Sequence, residues 1–196
     1  MMQDKDILNF WSWFAKNSGN LQSDNYDKNI LNELDQIISN WGLGWEIGPG
    51  ISKENSLTIS PNGDKELLDK TNYIIDKAPQ LDSWAFYSAK QSKENWHLAT
   101  LVDTDFKIDA SNWTYVLLKY EDEKTEILLK ADSLANLDTE TKELAADLIL
   151  TNLLGEKLKI QKLDFIDVVE KFEDEKGITE LRFLPAHITD KNYFTP

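Results

Sequence analysis

Two segments of this chain show the same predicted order of secondary structure, namely strand, strand, helix and strand. The first runs from Trp45 to Tyr87 and the second from Tyr115 to Glu170. Self-similarity of this kind is typical of a repeated supersecondary unit. A helix that connects two neighbouring strands of one sheet makes them parallel, so each unit should be an antiparallel hairpin with one parallel strand added. The sequence therefore predicts an α+β fold whose mixed, mainly antiparallel sheet has roughly six strands.

Two amphipathic helices are predicted before the first repeat, at residues 4–17 and from about residue 26 to residue 40. Gly42 lies where a left-handed cap would end the second helix. Trp13 falls about 60° outside the apolar arc of the first helix. We therefore expect the side chain of Trp13 to stay accessible and to contact a protein partner. The alternative is that the whole aromatic cluster at residues 10–14 packs in the core. The arc contains Ile7, Leu8, Phe10, Trp11, Phe14 and Ala15.

The predicted segments make up a single domain of residues 1–196. A long polar connection joins the two repeats and carries a possible edge strand at residues 106–108. We expect the two N-terminal helices to form a hairpin that covers part of the sheet. The segments are the helical hairpin 1–42, the first repeat 43–89, the second repeat 114–171 and a C-terminal tail 172–196.

Three details of the second repeat are predicted from its apolar pattern. The strand at residues 115–118 is apolar on both faces, which is typical of a central strand covered on each side. In the last strand, residues 163–169, the alternation slips between Phe165 and Ile166, as in a β-bulge. The helix from about Asp138 to Leu154 is predicted from two neighbouring rows of residues at helical spacing. One row is Leu144, Leu148 and Thr151, and the other is Ala145, Ile149 and Asn152.

The charge of the chain restricts its partners. It carries 35 acidic and 21 basic residues, for a formal net charge of −14. A surface of this sign repels nucleic-acid backbones and anionic lipids, so neither is an expected partner. A basic protein or a metal cation fits better, although the charge can also serve solubility alone. Cysteine is absent, which excludes disulfides, thiolate nucleophiles and sulfur-ligated metals, and no cofactor is predicted.

One edge of the second repeat collects six carboxylates, which we call the acidic rim. The carboxyl ends of the second and third strands and the start of the helix lie there, because those strands are parallel. Such a rim can attract a basic partner or hold a divalent cation. The alternative is a solvated loop end whose acids serve the helix dipole. The acids at residues 121–123 belong to the opposite edge. The acidic rim consists of Asp132, Asp138, Glu140, Glu173, Asp174 and Glu175.

The remaining candidate motifs favour structural roles. The turn at residues 60–64 lacks the glycines of a dinucleotide site and the Gly-Lys-Ser/Thr of a P-loop, so it is predicted to start a helix. Asp103, Asp105 and Asp109 do not follow the spacing of an EF-hand. The last two alternate with apolar residues, as on the wet face of a strand. The histidines, which lie in no recognisable nucleophile motif, are His97 and His187.

Several short pieces of the sequence resemble a family of uncharacterised bacterial proteins of similar length. The resemblance spans most of the chain and implies a soluble, cytosolic bacterial protein, but it implies no activity and no site residues. A cytoplasmic location is also expected because no secretion signal and no apolar run near ~20 residues is visible. The pieces are Phe10-Trp11-Ser12-Trp13-Phe14, Trp45-Glu46-Ile47-Gly48, Ile59-Ser60-Pro61-Asn62-Gly63, Ala78-Pro79 followed by Trp84, and Leu154-Gly155-Glu156.

These observations favour a non-enzymatic acidic protein that binds or regulates a protein partner, by analogy with bacterial inhibitors and immunity proteins. Two alternatives stay open. A carboxylate-based hydrolase, with or without a metal, requires two or more carboxylates that converge in a deep pocket. A small-ligand sensor requires an apolar pocket between the two repeats.

Overall fold

A computed structural model describes residues 3–22, 26–101, 105–122, 124–174 and 176–190 of the chain. It divides into two compact units, the first unit Met1–Lys90 and the second unit Gln91–Pro196. Each unit has its own buried apolar cluster. The α+β class is confirmed, since helices and mixed sheets occur together. Whether the two units act as one domain of residues 1–196 stays a prediction.

The first unit contains the predicted helical hairpin and the first repeat. Its three-stranded sheet has the order β1-β2-β3. β1 and β2 are antiparallel, and β2 and β3 are parallel because α3 connects them. The elements are α1 (Asp4–Asn17), α2 (Lys28–Ser39), β1 (Gly44–Pro49), β2 (Asn55–Ser60), α3 (Leu68–Ile75) and β3 (Trp84–Tyr87).

Local signals in the sequence account for the ends of these helices. Asp27 caps α2, because its side chain accepts a hydrogen bond from the backbone N–H of Asn29. Gly42 follows α2 with a φ of 72°, the left-handed conformation that glycine adopts without strain. Asp64 accepts from the N–H of Glu66 at 2.8 Å. The turn at residues 60–64 therefore starts a helix, as predicted.

The apolar arc of α1 is narrower than predicted. Four of its members are buried, whereas Leu8 is 57% exposed and Ala15 is also exposed. Leu8 lies about 60° beyond Trp11 around the helix, so it falls at the margin of the face that meets the sheet. The buried members are Ile7, Phe10, Trp11 and Phe14.

The second unit contains the second repeat between a two-stranded sheet and a C-terminal helix. β4 and β5 form the two-stranded sheet, and the larger sheet has the order β9-β6-β7-β8. The elements are β4 (Leu98–Leu101), β5 (Phe106–Asp109), β6 (Thr114–Lys119), β7 (Thr125–Lys130), α4 (Thr139–Leu154), α5 (Glu156–Lys162), β8 (Phe165–Val169), β9 (Thr179–Glu180) and α6 (Leu184–Thr189).

Both repeats have the predicted topology, but they do not share one sheet. In the second repeat, β6 and β7 are antiparallel, and β7 and β8 are parallel. The expectation of one sheet of about six strands is wrong for the described residues, whose strands form three separate sheets. The short strand β9 from the tail pairs with the outer side of β6, so a segment too short to show a strand pattern in the sequence closes that edge of the second sheet.

Three details of the second repeat differ from the predictions. β8 pairs with β7 in continuous register from Phe165 to Val169, so it has no bulge. Leu118 of β6 is 36% exposed, so that strand is central in the sheet but open on one face. Leu144 is 57% exposed, because α4 turns the opposite side inward. The residues that α4 buries there include Ala145, Ala146, Ile149 and Leu150.

Candidate functional site

A groove lies between α1 and α2 in the first unit, and we call it the α1–α2 groove. Its volume is about 370 Å³. The residues from α1 follow the spacing i, i+3, i+4 and i+7, which places them on one face of that helix. The other wall comes from the last turn of α2 and the residues just after it. The lining residues are Asp6, Asn9, Phe10, Trp13, Ile37, Asn40 and Trp41.

Three aromatic rings form the apolar part of the groove. The ring centroid of Phe10 lies 6.2 Å from that of Trp13, with 24° between the ring planes. It lies 5.3 Å from that of Trp41, in an edge-to-face arrangement. Phe10 is buried, whereas Trp13 and Trp41 are half-buried. The prediction that Trp13 lies outside the core face of α1 thus corresponds to its place in the wall of this groove.

Two carboxylates stand near opposite ends of the α1–α2 groove. The indole Nε1–H of Trp13 donates a hydrogen bond of 3.0 Å to an oxygen of Glu33, on α2. The side chain of Asp6 accepts a hydrogen bond of 2.9 Å from the backbone N–H of Gln3, and this bond completes the capping box of α1. Seven residues separate Asp6 from Trp13, which is about 10 Å along a helix. Both carboxylates are exposed, so each meets solvent beside an aromatic wall.

Hydrogen bonds from other side chains fix the helices that form the groove. The buried indole N–H of Trp11 donates a hydrogen bond of 2.9 Å to the carbonyl of Ile74 at the end of α3. The indole N–H of Trp45 donates 2.9 Å to Asp35 on α2. The ammonium of Lys70 donates 2.6 Å to the carbonyl of Trp41. The groove is therefore pre-formed, which lowers the entropy lost when a ligand binds.

This arrangement is suited to a cationic side chain. The faces of tryptophan and phenylalanine attract cations through their ring quadrupole, and a carboxylate at the rim adds a charge-assisted hydrogen bond. Sequence analysis identified Trp13 but missed Asp6, Glu33 and Trp41. The stripe from Asp6 to Trp13 was visible as helical spacing. The pairing with α2 was not, because it depends on how the two helices pack.

The carboxyl ends of β7 and β8 lie at the same edge of the second sheet, because the two strands are parallel. The described members of the acidic rim have separate local roles. Asp132 pairs with Lys130 at 3.4 Å. Asp174 accepts from the backbone N–H of Lys176 at 3.0 Å. Glu140 and Glu173 are exposed, and Glu175 lies outside the described residues. The role of the rim as a docking surface stays a prediction.

Asp138 of the acidic rim caps α4. Its carboxylate accepts from the backbone N–H of Thr141 at 3.0 Å and from the hydroxyl of the same residue at 2.7 Å. These bonds, the backbone one first, hold the pKa of Asp138 below its usual range because they stabilise the charged form. The alternative interpretation, in which acids of the rim serve the start of the helix, describes this residue well.

A small cavity of about 270 Å³ opens beside the rim. It brings Asp132 and Glu170 together with Lys142 from the first turns of α4. The lysine offsets part of the negative charge, so this cavity attracts a cation less than the carboxylates alone would. In the described part of the chain, no group of three or more Asp, Glu or His side chains is placed to hold a metal ion.

The other candidates have structural contacts. Asp103 lies outside the described residues. Asp109 accepts from the backbone N–H of Ser111 at 2.9 Å, and hydrogen bonds from Ser111, the side-chain one first, lower the pKa of Asp109. The Nδ1 atom of His187 lies 2.6 Å from the hydroxyl of Tyr115, which is buried. The ring of His97 packs edge-on against Trp96, with 5.6 Å between centroids.

Comparison with family models, with curated proteins and with solved structures gives no match for this chain. The family resemblance of the short sequence pieces therefore stays a prediction. Among the described residues, no helix has the length and apolarity needed to span a membrane. The hydrolase and small-ligand alternatives also stay predictions.

Proposed function

We propose that this protein is a non-enzymatic binding or regulatory module that docks a basic protein partner through the α1–α2 groove. The observation that carries the proposal is the position of Trp13, half-buried in the groove wall, with its indole N–H bonded to Glu33. An arginine side chain of the partner enters the groove, its guanidinium lies on the aromatic wall next to Glu33, and Asp6 adds attraction from the other end. The net charge of −14 favours a partner of the opposite sign.

Arginine suits the groove better than lysine for a physical reason. Its guanidinium is planar and weakly hydrated, so it stacks on an aromatic face while its N–H groups donate to carboxylates. The methylene stem of the side chain packs against Phe10 and Ile37 at the floor of the groove. Because tryptophan and arginine are both frequent in binding hot spots, this contact should carry a large share of the affinity.

The test uses the pentapeptide acetyl-Gly-Leu-Arg-Leu-Gly-amide and its counterpart with citrulline, the neutral isostere of arginine. We expect the arginine peptide to shift the indole N–H resonance of Trp13 in a two-dimensional NMR titration. The citrulline peptide should bind at least about tenfold more weakly. Equal binding of the two peptides, or shifts that avoid Trp13, would contradict the proposal.

The matched variant is the double substitution Asp6→Asn and Glu33→Gln. Both replacements keep a carbonyl oxygen that accepts the hydrogen bonds from Gln3 and Trp13, so the hairpin should fold unchanged. We expect the variant to bind the arginine peptide about tenfold more weakly at low salt and to lose most of the salt dependence. If its affinity equals that of the natural protein, the carboxylates are not part of the binding site.

A further inference from the structure

The strand β8 is a free edge of the second sheet. Within the described residues it pairs only with β7, while β9 occupies the other end of the sheet. α4 packs against β8 from one side. An edge strand presents a row of unpaired N–H and C=O groups, which can pair with another strand. β8 contains no proline, a residue that often blunts such edges.

The pairing on the other side of β7 shows which groups of β8 point outward. The backbone N–H of Tyr120 donates a hydrogen bond of 2.9 Å to the carbonyl of Lys124, so in the register of β6 and β7 residues 126, 128 and 130 face β6. Successive residues of a strand turn their backbone groups to opposite sides, so Ile127 faces β8. In the parallel register Ile127 lies opposite Ile166, so its backbone groups bond residues 165 and 167. The N–H and C=O groups of Ile166 and Val168 therefore point away from β7, toward the position of an added strand.

The side chains along β8 indicate which strand would fit. Phe165 is 49% exposed and lies in register with Glu126, which is itself in register with Leu118. Phe165 also lines a shallow hollow of about 610 Å³. Asp167 is exposed at the middle of the strand. The other residues that line the hollow are Tyr120, Glu121, Asp122 and Lys124.

The charges near β8 favour a basic partner over a second copy of the chain. In an antiparallel pair of two β8 strands centred on residue 167, the two Asp167 side chains would face each other, and like charges in that position are destabilising. Each copy also carries a net charge of −14. Lys124, the cation next to Phe165, is already paired with Asp122 at 2.8 Å. In the described part of the chain no lysine or arginine pairs with Asp167, so a basic side chain of a partner is its complement.

We infer that β8 binds an extended segment of a basic protein as an additional strand of the sheet. Main-chain hydrogen bonds to Ile166 and Val168 hold the segment. A lysine or arginine lies opposite Asp167, and apolar side chains two residues away on each side lie beside Phe165 and Val169. This mode of recognition takes affinity from the backbone and specificity from alternate side chains. The site belongs to the second unit and is independent of the α1–α2 groove.

The probe is the acetylated and amidated peptide Thr-Leu-Thr-Lys-Thr-Leu-Thr, whose palindromic sequence presents the same side chains to β8 in either strand direction. Its control has glutamate in place of lysine. We expect the lysine peptide to protect the amides of Ile166 and Val168 from hydrogen exchange, and the glutamate peptide to bind about tenfold more weakly. The substitution Asp167→Asn should remove most of this difference. Equal binding of both peptides to the natural protein would overturn the assignment of a basic partner.

Two further controls test the backbone contacts. Val168→Pro removes one outward N–H without removing a bond to β7, a position that edge strands tolerate, and should weaken binding about tenfold. N-methylation of the backbone of the probe tests the same contact on the natural protein, so a folding defect in the variant leaves the answer intact. Undiminished binding of the methylated probe would refute strand addition. A dimer that forms without peptide and is lost in Val168→Pro would show that the occupant is a second copy.

The proposals for the α1–α2 groove and for β8 can be tested independently of each other. The double variant Asp6→Asn and Glu33→Gln should bind the threonine–leucine–lysine peptide as the natural protein does, because neither residue belongs to the second unit. Val168→Pro should likewise bind the arginine pentapeptide normally. If the groove variant loses the strand peptide, the inference about β8 is wrong, whatever the outcome for the groove.

Discussion

The buried tryptophans of the first unit differ in what their indole N–H groups contact. Trp11 and Trp84 are 3% and 2% exposed, and both belong to the same core. The N–H of Trp11 donates 2.9 Å to the carbonyl of Ile74. Among the described residues, the N–H of Trp84 has no acceptor. A buried donor without a partner loses its hydration and gains nothing in return.

This difference predicts unequal effects of Trp11→Phe and Trp84→Phe. Both substitutions remove the same atoms from the core, so the losses from reduced packing should be similar. Trp11→Phe also removes a hydrogen bond, whereas Trp84→Phe removes an unpartnered polar group. We expect Trp11→Phe to lower the free energy of unfolding by about 1–2 kcal/mol more than Trp84→Phe. Urea unfolding of the two variants measures the difference. Equal losses would show that the indole of Trp84 is satisfied in solution.

At the scale of the element, the repeated unit was predictable because its signals are local. Hairpin turns, apolar alternation and helical spacing each occupy fewer than about twenty consecutive residues. The single sheet was wrong because strand pairing between distant segments has no such signal. β9 has only two residues, which is too few to show the alternation of apolar and polar residues that predicts a strand. It nevertheless forms the edge of the sheet next to β6. The groove was half predictable, since Trp13 follows from α1 alone and its neighbours Glu33 and Trp41 come from α2.

The junction of α4 and α5 depends on one glycine. Gly155 has a φ of 77° and a ψ of 147°, a region of backbone conformation that essentially only glycine adopts. Its N–H donates a hydrogen bond of 2.9 Å to the carbonyl of Thr151. Its carbonyl accepts a hydrogen bond of 3.1 Å from the N–H of Lys159. One residue thus ends the first helix and begins the second.

We therefore expect Gly155→Ala to destabilise the protein by about 1–3 kcal/mol. The matched control is Gly19→Ala, because a Cβ atom at Gly19 would meet no atom within 4 Å and φ there is not positive. That variant should change the free energy of unfolding by less than about 0.5 kcal/mol. Both values come from urea unfolding at neutral pH. A small effect at Gly155 would mean that the junction tolerates a different backbone conformation.

At the scale of the whole molecule, attractive and repulsive charge interactions oppose each other. The described ion pairs are mostly at the surface, as between Arg182 and Glu180 at 2.8 Å or Lys77 and Asp4 at 3.8 Å. Pairs of this kind contribute about 0–1 kcal/mol each and weaken with salt. The excess of acidic residues repels itself over longer distances, and that repulsion also weakens with salt. The sign of the salt dependence shows which of the two dominates.

We expect the repulsion to dominate, because a net charge of −14 leaves many carboxylates with no basic residue to pair with. The urea midpoint of unfolding should therefore rise as NaCl is increased from about 0.01 M to about 1 M, over which the screening length falls from ~30 Å to ~3 Å. Urea is required because guanidinium chloride is itself a salt. The charge-reversed variant Glu140→Lys and Glu173→Lys, both at exposed positions, should show a smaller rise. A midpoint that falls with NaCl would mean that ion pairs between neighbouring residues stabilise the fold more than the excess negative charge destabilises it.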